Sequence, residues 1–107
     1  MAQRNEKVAN FIKERAALFF GRTQNNTSLI TVTRANCSPD LKRATVFITV
    51  LPITKEEEAL DFCRRQLSEL REFLKENMET KVVPFLDIEI DLGEKNRQKI
   101  DELLREK

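Results

Sequence analysis

The sequence predicts a two-layer α+β domain in which helices cover one face of a three-stranded sheet. Three short segments have the pattern of strands: one is mostly β-branched, and two alternate apolar and polar residues, as strands with one buried face do. Other segments repeat apolar residues every three or four positions, the spacing of a helix that buries one side. The predicted order is helix, strand, strand, long helix, strand, helix (α-β-β-α-β-α). Because two strands alone are barely stable in water, we expect the helices to cover the sheet.

Residues 4–20 form the first predicted helix. Its apolar residues recur at helical spacing: Val8, Ile12, Ala16 and Phe19. Gly21 follows, and glycine commonly ends a helix because it tolerates left-handed backbone angles. The opposite side of the helix is polar and carries three cations: Arg4, Lys7 and Lys13.

Residues 29–51 read as a β-hairpin. The first run, 29–33, is mostly β-branched, and the second run, 44–50, alternates. The positions expected to share the buried face of the second run are Ala44, Val46, Ile48 and Val50. The tripeptide 38–40 is Ser-Pro-Asp, a turn signal, because proline presets φ while serine and aspartate bond the backbone locally.

Residues 55–78 carry the strongest helical periodicity in the chain. The apolar positions are Ala59, Cys63, Leu67, Leu70, Leu74 and Met78. Thr54 and Glu57 have the spacing of a capping box. We predict one helix, continuous or mildly bent near Ser68, whose hydroxyl can bond the carbonyl four residues back. Four cations lie off the apolar side: Arg64, Arg65, Arg71 and Lys75.

A third strand and a last helix complete the predicted fold. After Pro84, apolar residues alternate with acidic ones, the apolar set being Leu86, Ile88, Ile90 and Leu92. Gly93 ends this strand, and residues 94–105 form a helix with a short apolar face. At 107 residues, the chain is expected to form a single domain over 1–107.

The composition argues against an enzyme. The sequence has no histidine, two glycines and no glycine-rich phosphate loop. Asp87 and Glu89 share one strand face, where a solvated surface is a better interpretation than a cation site. Cys37 and Cys63 are interpreted as reduced core thiols, since two cysteines are too few for a disulfide framework. We predict no cofactor, no metal, no small-molecule substrate and no membrane span.

The charge distribution permits a basic face for an anionic partner, although composition alone favours ordinary solvated surface charge. Residues 1–50 contain eight Lys/Arg against three Asp/Glu, and the remainder contains eleven against fifteen. The cations predicted to contact RNA phosphates are Arg4, Lys7, Lys13, Lys42, Arg43, Arg64, Arg65, Arg71 and Lys75. Phe47 points away from the buried strand face, where it either stacks on a base or packs beneath the last helix. An alternative is a protein–protein adaptor without RNA affinity, because the second half is acidic.

Three motifs in this order resemble the ribosome-binding factor A family. The first runs from Ile30 through the Ser-Pro-Asp-Leu turn at 38–41 and the strand 44–50. The second is the helical segment 8–14, VANFIKE. The third combines Pro84 and Asp91 with the IDELL ending at 100–104. Together the motifs span nearly the whole chain.

This resemblance implies a type II K-homology-like fold and a non-enzymatic assembly factor. Such a factor binds the immature small (30S) ribosomal subunit and supports maturation of 16S rRNA, particularly processing near its 5′ end. The resemblance further implies a cytoplasmic protein, expected to be a monomer, that matters most in the cold. The opening residues show no secretory pattern, which agrees with that expectation.

The chain departs from the family pattern in two places, and it also lacks a loop that many other K-homology domains use. The aspartate-proline-arginine before the first strand is replaced by residues 25–29. The G-x-x-G RNA clamp that many K-homology domains use is absent too. In the long helix, Ser68 stands where the family has the glycine of an alanine-x-glycine kink. The site is therefore predicted from the cations rather than from a phosphate-gripping loop.

Overall fold

The computed structural model describes residues 2–23, 28–78, 83–94 and 96–97. Its helices and strands are α1 Ala2–Thr23, β1 Leu29–Cys37, β2 Arg43–Leu51, α2 Glu56–Arg65, α3 Leu67–Asn77 and β3 Phe85–Ile90. A single 3-10 turn, Ile53–Lys55, precedes α2. The predicted α+β architecture is confirmed.

The strands form one sheet in the order β1-β2-β3. β1 and β2 are antiparallel, whereas β2 and β3 are parallel. A parallel pair needs a crossover connection, and α2 and α3 supply it. α1 packs on β1 and β2, α2 packs on β2 and β3, and α3 contacts β3 and α1. The long helical segment therefore brings the third strand beside the hairpin, as predicted.

The hydrophobic core lies between the sheet and the helices. From β2 it receives the four alternating residues that the sequence predicts, Ala44, Val46, Ile48 and Val50. The helices add buried residues at helical spacing: Ile12, Ala16, Phe20, Ala59, Cys63, Leu70 and Leu74. Burial raises the pKa of the Cys63 thiol to about 12, so this thiol is protonated at neutral pH and packs as an apolar group. Cys37 is also a buried free thiol, as expected.

The helix predicted over 55–78 is two helices, separated by Gln66, so the prediction of one continuous or mildly bent helix is wrong. The Gln66 backbone has φ −91° and ψ −1°. Its N–H donates to the carbonyls of Phe62 (3.2 Å) and Cys63 (3.0 Å), which tightens the last turn of α2. α2 packs on β2 and β3, whereas α3 packs partly on α1, so the two helices have different packing partners.

The ends of the first helix and of α2 also differ from the predictions. α1 continues through Gly21, which does not have a positive φ, and ends two residues later. The capping box of Thr54 and Glu57 is not formed, because Thr54 lies in the 3-10 turn. Lys55 is the N-cap of α2 and makes no side-chain capping hydrogen bond.

The third strand ends earlier than the alternation suggests. β3 stops at Ile90, and Leu92 lies in a helical turn with 65% of its surface exposed instead of extending the apolar face. Residues 92–94 and 96–97 are helical. The rest of the helix predicted over 94–105 lies outside the described residues.

β1 is longer than the predicted run 29–33 and contains a bulge. Val32 and Arg34 pair with consecutive residues of β2, so Thr33 between them is an extra residue. Pairing with β2 extends the strand through residues with weak strand propensity, such as Asn36. Because of this extra residue, Ala35 and Cys37 after the bulge lie on the same sheet face as Ile30 and Val32 before it.

Asp91 ties this bulge to the end of β3. The residue is 4% exposed, although the alternation in the sequence places it on the outward side. One carboxylate oxygen accepts hydrogen bonds from the Thr33 hydroxyl (2.6 Å) and Arg34 Nε (3.3 Å), and the other accepts one from the Glu94 N–H (3.1 Å). The Thr33 hydrogen bond is the main cause that lowers the pKa of Asp91 below its usual value.

An Asp91→Asn variant is expected to lose about 1–3 kcal/mol of unfolding free energy at neutral pH, because a buried charged acceptor is removed. Folding lowers the pKa of this carboxyl, so the unfolded chain takes up the proton first as the pH falls. The stabilisation is complete above the unfolded pKa of about 3.9 and disappears as the pH falls through the native pKa. Urea unfolding across this pH range measures the difference between variant and parent.

The gap in stability between the two proteins should narrow towards acid pH. A gap that keeps the same size at every pH would contradict the charge-based account. Thr33→Val supplies a control, because it removes the main donor to the same oxygen. Its effect should be smaller in the Asp91→Asn background than in the parent.

Candidate nucleic-acid interface

A groove of ≈ 960 Å³ lies between the starts of β2 and β3 and the junction of α2 with α3. Four of the nine predicted cations line it: Lys42, Arg43, Arg64 and Arg71. We call it the basic groove and define it by these four residues together with Ser68, Phe85 and Asp87. Two of the cations come from the hairpin and two from the helices, so the fold brings together residues that are distant in sequence.

The hairpin turn fixes the backbone of Lys42 and Arg43. The Ser38 hydroxyl donates to the Asp40 carboxylate (2.6 Å), which accepts the Lys42 N–H at 3.1 Å. The Arg43 N–H donates to the Ser38 hydroxyl oxygen at 3.1 Å. The hydrogen bond from Ser38 is the largest cause that lowers the pKa of Asp40 below its usual value. The turn predicted from Ser-Pro-Asp is present and presents both cations to solvent.

Arg64 and Arg71 are held against the chain around β3, which is an edge strand. Arg64 donates to the Ile88 carbonyl (3.4 Å) and Arg71 donates to the Val83 carbonyl (3.1 Å). These residues lie seven apart, one on each side of the helix break; Arg64 reaches β3 itself and Arg71 reaches the chain just before it. A guanidinium has five N–H donors, so each arginine keeps donors for a phosphate after this contact.

The same contacts occupy backbone groups that an added strand would need. The Ile88 carbonyl accepts from Arg64, and the Ile88 N–H donates to the Asp87 carboxylate at 2.8 Å. Strand addition at an edge depends on free backbone donors and acceptors. A peptide strand added at this edge would therefore have to displace both contacts at Ile88.

The groove is net positive. Its described titratable side chains are the four cations and one carboxylate, Asp87, which is turned towards the backbone. Within the described part of the chain, no group of three or more metal-ligating side chains is found. No described helix has the length and apolar character needed to cross a membrane. Phosphate oxygens are the ligands that such clustered cations bind best.

Comparison with known sequences decides the family. The sequence model of ribosome-binding factor A matches residues 4–104. The chain belongs to the ribosome-binding factor A family. A relative from Thermomicrobium roseum that carries this name is 26% identical over 106 residues, covering 96% of this chain and 82% of the relative.

Solved structures of ribosome-binding factor A share the fold. The crystal structure of the factor from Thermus thermophilus matches with a TM-score of 0.72 at 20% identity, over 80% of this chain and 94% of that one. A homology model of the T. thermophilus factor, fitted into a cryo-EM map of a 30S–RbfA complex, matches with a TM-score of 0.66 at 21% identity. That match covers 74% of this chain and 86% of the other. The expected K-homology-like α+β fold is confirmed.

The kink expected of the ribosome-binding factor A family persists without its glycine. The break falls at Gln66, two residues before Ser68, which belongs to the first turn of α3. Ser68 is exposed and lines the basic groove. The break therefore lies beside the basic groove.

The remaining predicted cations lie elsewhere on the chain. Four of them are exposed but do not line the basic groove: Lys7, Lys13, Arg65 and Lys75. The side chain of Arg4 lies outside the described residues. The start of α1 lies against the end of β1, because Asn5 Nδ2 donates to the Cys37 carbonyl at 2.9 Å. Arg43 also lines a second recess of ≈ 620 Å³ beside this contact.

Two phenylalanines, Phe47 and Phe85, have side chains that point away from the core. Phe47 points away from the core, as predicted, and is half-buried with the Arg34 guanidinium 4.0 Å from its ring centre. Whether the last helix covers Phe47 concerns residues outside the described part. Phe85, which was not among the residues predicted from the sequence, is 72% exposed in the basic groove. The sequence could have predicted this exposure, because Phe85 directly precedes Leu86, a residue on the apolar face of the strand.

Proposed function

We propose that this member of the ribosome-binding factor A family binds the immature small ribosomal subunit through its basic groove. The observation that carries the proposal is the convergence of Lys42, Arg43, Arg64 and Arg71 on one groove. Each cation that meets a phosphate releases counterions, so clustered cations give RNA affinity without a G-x-x-G clamp. A similar factor has been fitted into a 30S complex, which supports the choice of partner.

We further propose that the bound protein assists 16S rRNA maturation, particularly processing near the 5′ end. It would do so as a cytoplasmic monomer with no catalytic activity of its own. A protein that binds one conformation of the rRNA better than another shifts the population towards it by its difference in affinity. Binding of this kind exposes or protects an RNA segment for separate processing enzymes. We expect the effect on growth to be greatest in the cold.

Co-sedimentation with purified small subunits across a salt series tests the binding. We expect pelleting with small subunits and an affinity that falls steeply as salt rises. Large subunits are the control, since they present similar phosphate density. Equal pelleting with both subunits would reduce the activity to non-specific RNA affinity, and no pelleting with small subunits would contradict the proposal.

The processing role is tested in a bacterial strain that lacks its own family member. The chain should restore growth at low temperature and lower the fraction of 16S precursor with an unprocessed 5′ end. A matched strain expressing the Lys42→Glu/Arg43→Glu variant is the control. Subunit binding without any change in precursor would confine the function to binding.

A protein–protein adaptor without RNA affinity is the second candidate function. It is suggested by the acidic second half of the sequence. The occupied backbone groups of β3 argue against docking by strand addition there. A salt-dependent mobility shift with structured rRNA separates the two functions, because an adaptor gives no shift.

A further inference from the structure

We propose that the basic groove takes a single-stranded RNA segment, one base of which stacks on Phe85. This inference rests on the proposed binding of the small subunit and adds the class of RNA recognised. Phe85 is the only exposed residue among the seven phenylalanines, all of which lie in the described part of the chain. Scattered exposed apolar residues are common on proteins, so the exposure matters only because of where the ring lies.

The ring of Phe85 is held on a rigid support. The Phe85 N–H donates to the Lys42 carbonyl at 2.8 Å, and Phe85 pairs with Arg43 across the two strands. Its neighbours Pro84 and Leu86 are buried, so strand alternation directs Phe85 away from the core. Because the sheet holds the backbone in place, stacking on a flat ligand orders only the two side-chain torsions of Phe85.

The surroundings of the ring favour RNA over an apolar protein surface. An apolar partner that covers Phe85 also removes water from the four cations of the basic groove without supplying a counter-charge. A nucleotide chain supplies both partners, because its phosphates meet the cations and its bases present flat faces.

A single strand fits this groove better than a duplex. In a duplex the bases are stacked on one another, so the phenyl ring meets only the outside of the helix. An unpaired base exposes its face and can leave the strand to stack. Phe47 offers no equivalent site, because the Arg34 guanidinium already lies over its ring.

A fluorescent reporter tests the stacking directly. The chain contains no tryptophan and no tyrosine, so a Phe85→Trp variant has one emitter, located in the groove. Leu18→Trp is the matched control, because Leu18 is 50% exposed on α1 and does not line the groove. We expect a single-stranded RNA octamer to quench the Phe85→Trp variant strongly, and its duplex at equal phosphate concentration to quench it little. Neither RNA should quench the Leu18→Trp variant.

Affinity provides the second readout. Phe85→Ala should weaken binding of the single strand by roughly 5- to 150-fold, the range for loss of one stacked base, and leave duplex binding unchanged. Phe85→Trp should keep the parent affinity, because indole also stacks. Thermal unfolding checks that these variants stay folded, as expected for changes at an exposed side chain.

Different experimental outcomes would overturn the stacking proposal and the proposed function on which it rests. Equal quenching by single strand and duplex, or equal affinities of Phe85→Ala and the parent for the single strand, would overturn the stacking proposal while subunit binding stood. Weaker binding of Phe85→Ala to subunits, with unchanged RNA affinity, would assign Phe85 to a ribosomal protein and overturn the proposal too. Loss of subunit binding by the parent protein would instead contradict the proposed function.

Discussion

Truncation of Ile48 to alanine is expected to remove about 2–5 kcal/mol of unfolding free energy, which is a large part of the total of about 5–15 kcal/mol for a domain. Ile48 is fully buried in β2, the central strand of the sheet. Its side chain fills space between the sheet and the helices, so truncation leaves a cavity as well as losing apolar burial. Urea unfolding should show a lower midpoint with an unchanged slope.

The matched control for this prediction is Ile48→Val, which removes one methylene and should cost about 0.5–1.5 kcal/mol. Thr31→Ala adds an exposed position on a neighbouring strand, where we expect less than about 0.5 kcal/mol. A loss at Ile48→Ala no greater than at Thr31→Ala would contradict the central placement of β2.

Reversal of Lys42 and Arg43 to glutamate is expected to weaken small-subunit binding by about 100-fold or more. Each charge-assisted contact is worth about 1.5–3 kcal/mol, roughly tenfold or more in affinity, and this variant removes two. The salt dependence of log K should become shallower by about 2. Both side chains are exposed, so thermal stability should change little.

A variant with the same change in charge controls for long-range attraction. Arg65→Glu/Lys75→Glu also lowers the formal net charge from +1 to −3, but neither residue lines the basic groove. We expect a much smaller loss of subunit affinity from this pair, measured by co-sedimentation in the same salt series. Equal losses from the two variants would show that overall charge, and not the groove, determines binding.

The alternation in residues 44–50 was enough to predict the buried face of β2, because a period of two has one solution when one face is buried. The bulge at Thr33 left no comparable sign in the sequence. A β-branched residue suits a regular strand as well as a bulge, and the extra residue appears only when β1 is paired with β2. Its consequence, the burial of Asp91, therefore depended on a contact between distant segments.

The break at Gln66 shows why helical periodicity predicts faces better than continuity. Ala59 and Cys63 precede the break, Leu70 and Leu74 follow it, and all four are buried. Their spacing is the same as in one uninterrupted helix. Gln66 has good helix propensity, so local preference does not predict the break, which separates two helices with different packing partners.

The sequence was enough to predict which cations could contact phosphates, but not which of them lie together. Nine Lys and Arg residues were predicted as phosphate contacts on the basis of their polar positions. The structure brings Lys42 and Arg43 from the hairpin beside Arg64 and Arg71 from the helices. Position on a polar helix face does not distinguish Arg64 from Arg65, because both are exposed. What distinguishes Arg64 is the hydrogen bond that it donates to the Ile88 carbonyl of β3.

The most direct test of the central claim is photo-crosslinking from within the groove. A photoreactive amino acid placed at Ser68, which is exposed and lines the basic groove, is irradiated in the complex with small subunits. The same group at Leu18, exposed on α1, is the control. We predict crosslinks to 16S rRNA from position 68 and few or none from position 18. Crosslinks from position 68 to ribosomal proteins alone, or stronger rRNA crosslinks from position 18, would contradict binding of RNA in the groove.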